Sequence, residues 1–200
     1  MQSVESAPRA ILMWRSFSHW VGGMGVLVFM LALLPMAGPS SMHLMKAESP
    51  GPSVGKLVPK VRSTAKILYQ IYFVLTVVML VCMILTGCPL FDSINLTFAT
   101  AGTGGFGVLD SSAAEYGAAT QWVMTIFMIL FGVNFNVYFL FYVKRFKEGM
   151  KSEEARAYLG IIASAVLLIS GNLVSMVRNL ELTGRQAAFQ VASIITPTGF

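Results

Sequence analysis

The sequence predicts an all-α integral membrane fold, in which long apolar spans alternate with a short re-entrant half-helix and a glycine-rich loop. Composition is the first reason: of 200 residues, 56% are hydrophobic and 12% charged, against about a quarter charged in a soluble domain. Four long apolar runs are the second. The third is a loop pattern that occurs twice, ATAGTGGFG at 99–107 and ITPTGF at 195–200. The formal charge of +5 does not indicate a nucleic-acid partner, because the Lys and Arg residues lie in short loops between apolar runs and form no surface patch.

The run from Ile67 to Thr86 holds 20 residues with no charge and one strongly polar side chain, Gln70. At about 1.5 Å per residue it crosses a hydrocarbon core of about 30 Å. Trp122 to Val143 is a second span, interrupted only by Asn134 and Asn136, and Ala157 to Val177 is a third. The first run, Phe17 to Ala37, carries His19, Pro35 and glycines at 22, 23 and 25. Small residues at such spacing permit close helix packing in a bundle. Cys82 and Cys88 form no disulfide framework and read as buried structural thiols.

Orientation follows from the basic residues. Met36 to Lys66 carries Lys46, Lys56, Lys60, Arg62 and Lys66, and Lys144 to Arg156 carries five more, whereas Gly87 to Gln121 has no Lys or Arg. The positive-inside rule puts loops 46–66 and 144–156 in the cytoplasm and 87–121 outside.

The chemistry must lie in that outside segment. Leu90 to Thr100 reads as a half-helix too short to span, with Asp92 and Ser93 as N-terminal caps. Irregular backbone at membrane depth is tolerated only where protein buries it or a watery cavity solvates it, so the loop that follows is expected to line a cavity. In Gly102-Thr103-Gly104-Gly105 the glycines adopt positive φ at little cost, which lets successive carbonyls turn toward one axis. Rings of carbonyl and Thr oxygens that replace a hydration shell select monovalent cations, as potassium-channel filters do. Selective cation conduction is the function these residues suggest.

A shift of 95 residues lays Thr103-Gly104 on Thr198-Gly199 and aligns the spans that begin near Thr64 and Leu159. Ser18-His19-Trp20-Val21 echoes Thr120-Gln121-Trp122-Val123 at the start of the span after a loop. The repeated unit is span, half-helix, loop, an arrangement that fits a pore better than an enzyme cleft.

The stretches RSFSHWVGGMGVLVF at 15–29, ESPGPSVGKLVPKVRSTAKILY at 48–69, ATAGTGGFG and ITPTGF resemble the TrkH/KtrB branch of the Trk, Ktr and HKT potassium transporters, and the resemblance covers essentially the whole chain. It implies four membrane-pore-membrane repeats around a pseudo-fourfold filter for K+. It also implies a homodimer in the bilayer of the cell inner membrane and a cytoplasmic nucleotide-binding regulatory subunit of the TrkA/KtrA type. On that pattern residues 1–45 end repeat one, with an inner helix at about 17–37. Residues 46–150 make repeat two, with helix 64–86, pore helix 90–100, filter 101–107 and helix 120–147. Residues 151–200 begin repeat three, with helix 156–178, pore helix 185–195 and filter 196–200, so the chain is expected to be an internal fragment. The ion-binding positions carried over are Gly102, Thr103, Gly104, Gly105, Pro197, Thr198 and Gly199, with Gly104 and Gly199 as the central glycines.

Other readings fit less well. Gly102, Gly104 and Gly107 match a dinucleotide fingerprint, but no strand precedes them and no helix starts at once. Asn95-Leu96-Thr97 fits a glycosylation acceptor yet lies within the half-helix. His19 reads as an interfacial residue beside Trp20, with a metal ligand or proton relay as the alternative. Asp92 serves as a helix cap, as an outer-mouth cation site, or both; Asn134 and Asn136 face a cavity or bond neighbouring helices. The 13 Met and 14 Phe read as packing and lipid-facing surface. A membrane enzyme would need paired catalytic groups at one depth, but the two histidines fall on opposite sides and no span holds Asp or Glu. A sodium- or proton-coupled solute carrier with an occluded midplane site is the alternative that the spans alone do not separate.

Overall fold

The computed structural model describes residues 3–33, 61–177 and 179–200. Residues 46–60 of the first basic loop, and the expected end of the first helix at 34–37, lie outside the described residues. All regular structure among the described residues is helical.

A single 3-10 turn at Val4–Ser6 precedes α1, Arg9–Leu33. Helix α1 begins eight residues before the expected 17, because Arg-Ala-Ile-Leu-Met-Trp-Arg at 9–15 are helix-compatible residues whose polar start keeps them out of a hydropathy window. Helix α2, Val61–Leu85, ends in a turn where Gly87 has φ 82°. Helix α3, Leu90–Ala101, has 12 residues, so it rises about 18 Å and stops short of crossing.

The N-terminus of α3 differs from the sequence expectation. Pro89 occupies the cap position with no side-chain cap bond, and Asp92 lies in the first turn, where a carboxylate favours the positive end of the helix. Ser93 donates instead to the Cys88 carbonyl at 3.1 Å.

The helix expected over 120–147 is not continuous. It divides into α4, Ala118–Gly132, and α5, Phe135–Tyr142, bent by 84°, followed by one short helix α6, Phe146–Met150. Asn134 is the local cause, since its side chain accepts the Asn136 amide at 2.9 Å and starts a new helix. Tyr138 and Tyr158 then donate to the carbonyls of Leu130 and Ile129, at 2.7 and 3.1 Å, near the break. Helix α7 spans Glu153–Val177, and α8 spans Leu180–Ile195. Helix α8 starts five residues before the expected 185 because Asn179 caps it by accepting the Leu182 amide at 3.1 Å.

Lys66–Leu85 and Glu153–Val174 are long and apolar enough to cross a membrane, and α4 with α5 makes a third span if the bent pair is taken as one. Helix α3 is enclosed by α1, α2 and α4, and α8 packs on α7 and α4. Met79 and Met83 of α2, Leu96 of α3 and Met124 and Met128 of α4 are fully buried around it. Met is unbranched and fills irregular gaps between helices crossing at different angles. Outward faces of α2 and α7 carry exposed Val74, Val77, Val78, Val81, Leu167 and Leu168, suited to an apolar surrounding.

Candidate functional site

Two helices that do not cross, α3 and α8, each end in a loop, and their C-terminal ends carry partial negative charge toward it. At the end of α3 the amides of Gly102, Thr103 and Gly104 fold back on the carbonyls of Phe98, Thr100 and Ala99 at 3.0, 3.0 and 2.8 Å. With the Gly105 amide, which reaches the Ala99 carbonyl at 3.4 Å, the first four amides of the loop are taken. The backbone alternates in hand, with Gly102 at φ −77°, Thr103 at 57° and Gly105 at 59°, while Gly104 stays outside the positive-φ region. Alternation of this kind turns successive carbonyls to the same side of the chain.

The second loop follows the same plan with different residues. The Thr196 amide bonds the Ala192 carbonyl at 3.1 Å and the Gly199 amide bonds the Ser193 carbonyl at 3.2 Å. Pro197 and Gly199 both have positive φ, 25° and 77°. The Thr198 side chain is buried, 2.7 Å from the Thr196 hydroxyl, so it braces the loop from within. Pro197 and Gly199 are exposed.

The tertiary structure brings the two loops together. A Cβ placed on Gly105 would collide with the Thr198 carbonyl oxygen and approach Gly199 C at 2.8 Å. Glycine is required there twice, by its φ and by the closeness of the neighbouring backbone.

Side chains of α1 meet the first loop from the other flank. His19 Nε2 lies 2.8 Å from the Gly102 carbonyl oxygen, and a carbonyl only accepts, so this ring nitrogen carries the proton. Thr103 Oγ1 donates to the same oxygen at 2.7 Å, which occupies both lone pairs of Gly102. Gly102 thus anchors the loop to α1 and to its own next residue. The His19 ring also meets Phe106 edge-on at 5.1 Å. Arg15 donates to the Gly107 carbonyl at 2.6 Å and stacks its guanidinium over Phe106 at 5.1 Å. From the sequence, His19 reads as interfacial and Arg15 carries no role. The available signal was their spacing of four, which sets both on one face of α1.

The segment 102–117 is tied down by polar side chains of α3 and α4. Asp92 accepts from the Tyr116 hydroxyl at 3.0 Å. Burial, then the neighbouring Asp92 charge, push the Tyr116 hydroxyl pKa up, so it remains a donor. Gln121 donates to the carbonyls of Ala113 and Tyr116 at 3.0 and 3.1 Å and accepts from Arg185 of α8 at 3.1 Å. Arg185 in turn pairs with Glu181 at 3.2 Å. Asn134 donates to Glu154 of α7 at 3.0 Å, a bond between helices. Among the described residues no cluster of three His, Cys, Asp or Glu could hold a metal ion. The oxygens gathered at the loops are neutral dipoles, which suit a monovalent cation.

Apolar helices long enough to cross a membrane, with the shorter α3 and α8 each ending in a glycine-containing loop among them, define an all-α membrane protein. The TrkH model, described as a cation transport protein, matches residues 1–200, and the chain belongs to that family. It is 35% identical to the Trk system potassium uptake protein TrkH of Salmonella typhimurium, over 98% of the chain and 42% of that protein. It is also 30% identical to the Trk system potassium uptake protein TrkG of Escherichia coli, over the whole chain and 42% of that protein. The crystal structure of the potassium transporter TrkH from Vibrio parahaemolyticus superposes with a TM-score of 0.75 at 29% identity, covering 98% of this chain and 40% of that one. The chain thus spans about two fifths of the length of the relatives it matches.

Proposed function

We propose that this chain supplies the second loop and part of the third of a four-part selectivity filter for K+, within a Trk-type uptake system in the cell inner membrane. The observation that carries the reading is the meeting of Gly105 with Thr198, which sets two half-helix loops side by side around one locus. Relatives in Salmonella and Escherichia coli named as potassium uptake proteins give the ion its identity. A potassium ion arriving from outside sheds its water against the carbonyls of Thr103, Gly104 and Gly105 and of Pro197, Thr198 and Gly199. Gly102 holds the first loop to α3. The negative ends of α3 and α8 favour the dehydrated cation at that point. Asp92, in the first turn of α3 and bonded to Tyr116, shapes the outer mouth and adds negative charge near it.

The whole protein acts as a homodimer with a cytoplasmic nucleotide-binding subunit of the TrkA/KtrA type, and repeats outside this chain complete the filter. The test is Gly104→Val in the full-length protein, read as K+ against Na+ uptake. Discrimination should fall, because a Cβ at this position overlaps the His19 ring and displaces the loop. An unchanged ratio in a properly inserted variant removes the filter assignment.

A further inference from the structure

The first loop has one flank against Thr198 and the other against α1, and α1 grips it at both ends. His19 holds the Gly102 carbonyl where the loop leaves α3, and Arg15 holds the Gly107 carbonyl where the loop turns outward. Phe106 lies between the two, with the imidazole edge-on at 5.1 Å and the guanidinium over its face at 5.1 Å. Gly102 and Gly104 are both pressed against the His19 ring so closely that any side chain would collide with it. The loop therefore rests on a surface made by another helix.

We propose that His19 and Arg15 are positioning residues for selectivity: a two-point clamp from α1 that fixes the width and tilt of the 102–107 loop and hence its ion discrimination. The inference rests on the filter reading above and adds where its rigidity comes from. In so far as carbonyl dipoles discriminate between cations by fit, a loop that resists collapse around the smaller one sharpens that discrimination. The internal bonds of this loop are four backbone hydrogen bonds to the end of α3 and one Thr hydroxyl contact. The two charged or polar bonds from α1 are the only ones among the described residues that tie both of its ends to a separate element. A ring nitrogen that carries its proton toward Gly102 O also keeps that oxygen from turning toward the ion.

The test uses the full-length protein with His19→Leu, His19→Gln and Arg15→Gln, read as the ratio of K+ to Na+ transport, with thermal unfolding in detergent as a control for folding. His19→Leu removes the donor and should lower the ratio about tenfold, the equivalent of about 1.4 kcal/mol and of one hydrogen bond. His19→Gln restores an N–H at similar reach and should recover most of the ratio. A packing role alone would give the opposite ranking, since Leu fills the apolar contact with Phe106 better than Gln does. If His19→Leu does not insert, Arg15→Gln reports on the same clamp from the Gly107 end, and a several-fold drop is expected. Gly105→Ala is run beside them. If it lowers the ratio while His19→Leu and Arg15→Gln keep the wild-type value, the clamp is wrong and the filter stands. If Gly105→Ala also leaves the ratio unchanged, the filter reading itself fails.

Discussion

Gly105 and Thr198 meet backbone to backbone: the space that a side chain on Gly105 would need is filled by the carbonyl oxygen of Thr198. This contact between two loops on different half-helices separates two kinds of glycine in the chain, those that serve a turn and those that serve an approach.

Gly87 and Gly105 both have positive φ, 82° and 59°, but nothing lies within 4 Å of a Cβ on Gly87. Gly87→Ala should therefore lower stability by about 1–2 kcal/mol, the left-handed penalty of an L-residue, and leave ion discrimination as it is. Gly105→Ala adds a collision to that penalty and should change discrimination as well. Thermal unfolding and K+/Na+ uptake on the same full-length preparations separate the two effects.

Asn134 sits at the 84° bend, accepting the Asn136 amide and donating to Glu154. Asn134→Ala should cost about 1 kcal/mol through the lost cap alone. Asn134→Asp keeps the cap acceptor but sets a second carboxylate against Glu154, so it should be destabilising at neutral pH and rescued by Glu154→Gln. A double-mutant cycle on unfolding midpoints measures this; additive effects would mean that the two side chains are not coupled.

Asp110 holds the N-terminal turn to the outer loop. Its carboxylate accepts the Ser3 hydroxyl and the Val4 amide, the latter at 2.6 Å, and these bonds, led by Ser3, lower its pKa below the usual 3.8. A lowered folded-state value means the contribution is complete above pH 3.8 and is lost as pH falls through the depressed pKa. The protection of the Val4 amide, its hydrogen-exchange rate divided into the intrinsic rate at the same pH, should be larger at pH 5 to 7 than below about 3.8, the ordinary carboxylate value. Asp110→Asn should abolish that pH dependence.

Residues 144–156 are proposed to face the cytoplasm and 87–121 the outside. In a full-length background whose native cysteines, Cys82 and Cys88 included, are replaced, Lys147→Cys should resist a membrane-impermeant maleimide applied to intact cells. Glu115→Cys, on an exposed part of the outer loop, should react. The reverse pattern would invert the topology.

Hydropathy located the spans because each is a local property. Ile67 to Thr86 contains no charge, and the structure has α2 as Val61–Leu85. The half-helix is readable for the same reason: Leu90 to Thr100 is an apolar stretch too short to cross, and the structure has α3 as Leu90–Ala101. Its cap was misread, because Asp92 is as suited to the first turn as to the cap, and Pro89 left the cap position without a side-chain bond. The bend does not follow from the two Asn that interrupt Trp122 to Val143, because an Asn in a span serves as well to face a cavity or bond a neighbouring helix as to cap a new helix. Only the Asn136 amide and the Glu154 carboxylate reveal what Asn134 does.

By itself, then, the sequence determined the helical membrane class, the positions of the long apolar runs, and a glycine loop able to present carbonyls. These follow from side-chain polarity and backbone freedom, which act over a few residues. The tertiary structure decided which surfaces hold that loop. His19 on α1 meets Gly102, and Thr198 after α8 meets Gly105, although each pair is far apart along the chain. No periodicity encodes such pairs, because they arise only when α1, α3 and α8 pack at particular depths and angles. A histidine that reads as interfacial in one dimension becomes, in three, the donor against a loop carbonyl.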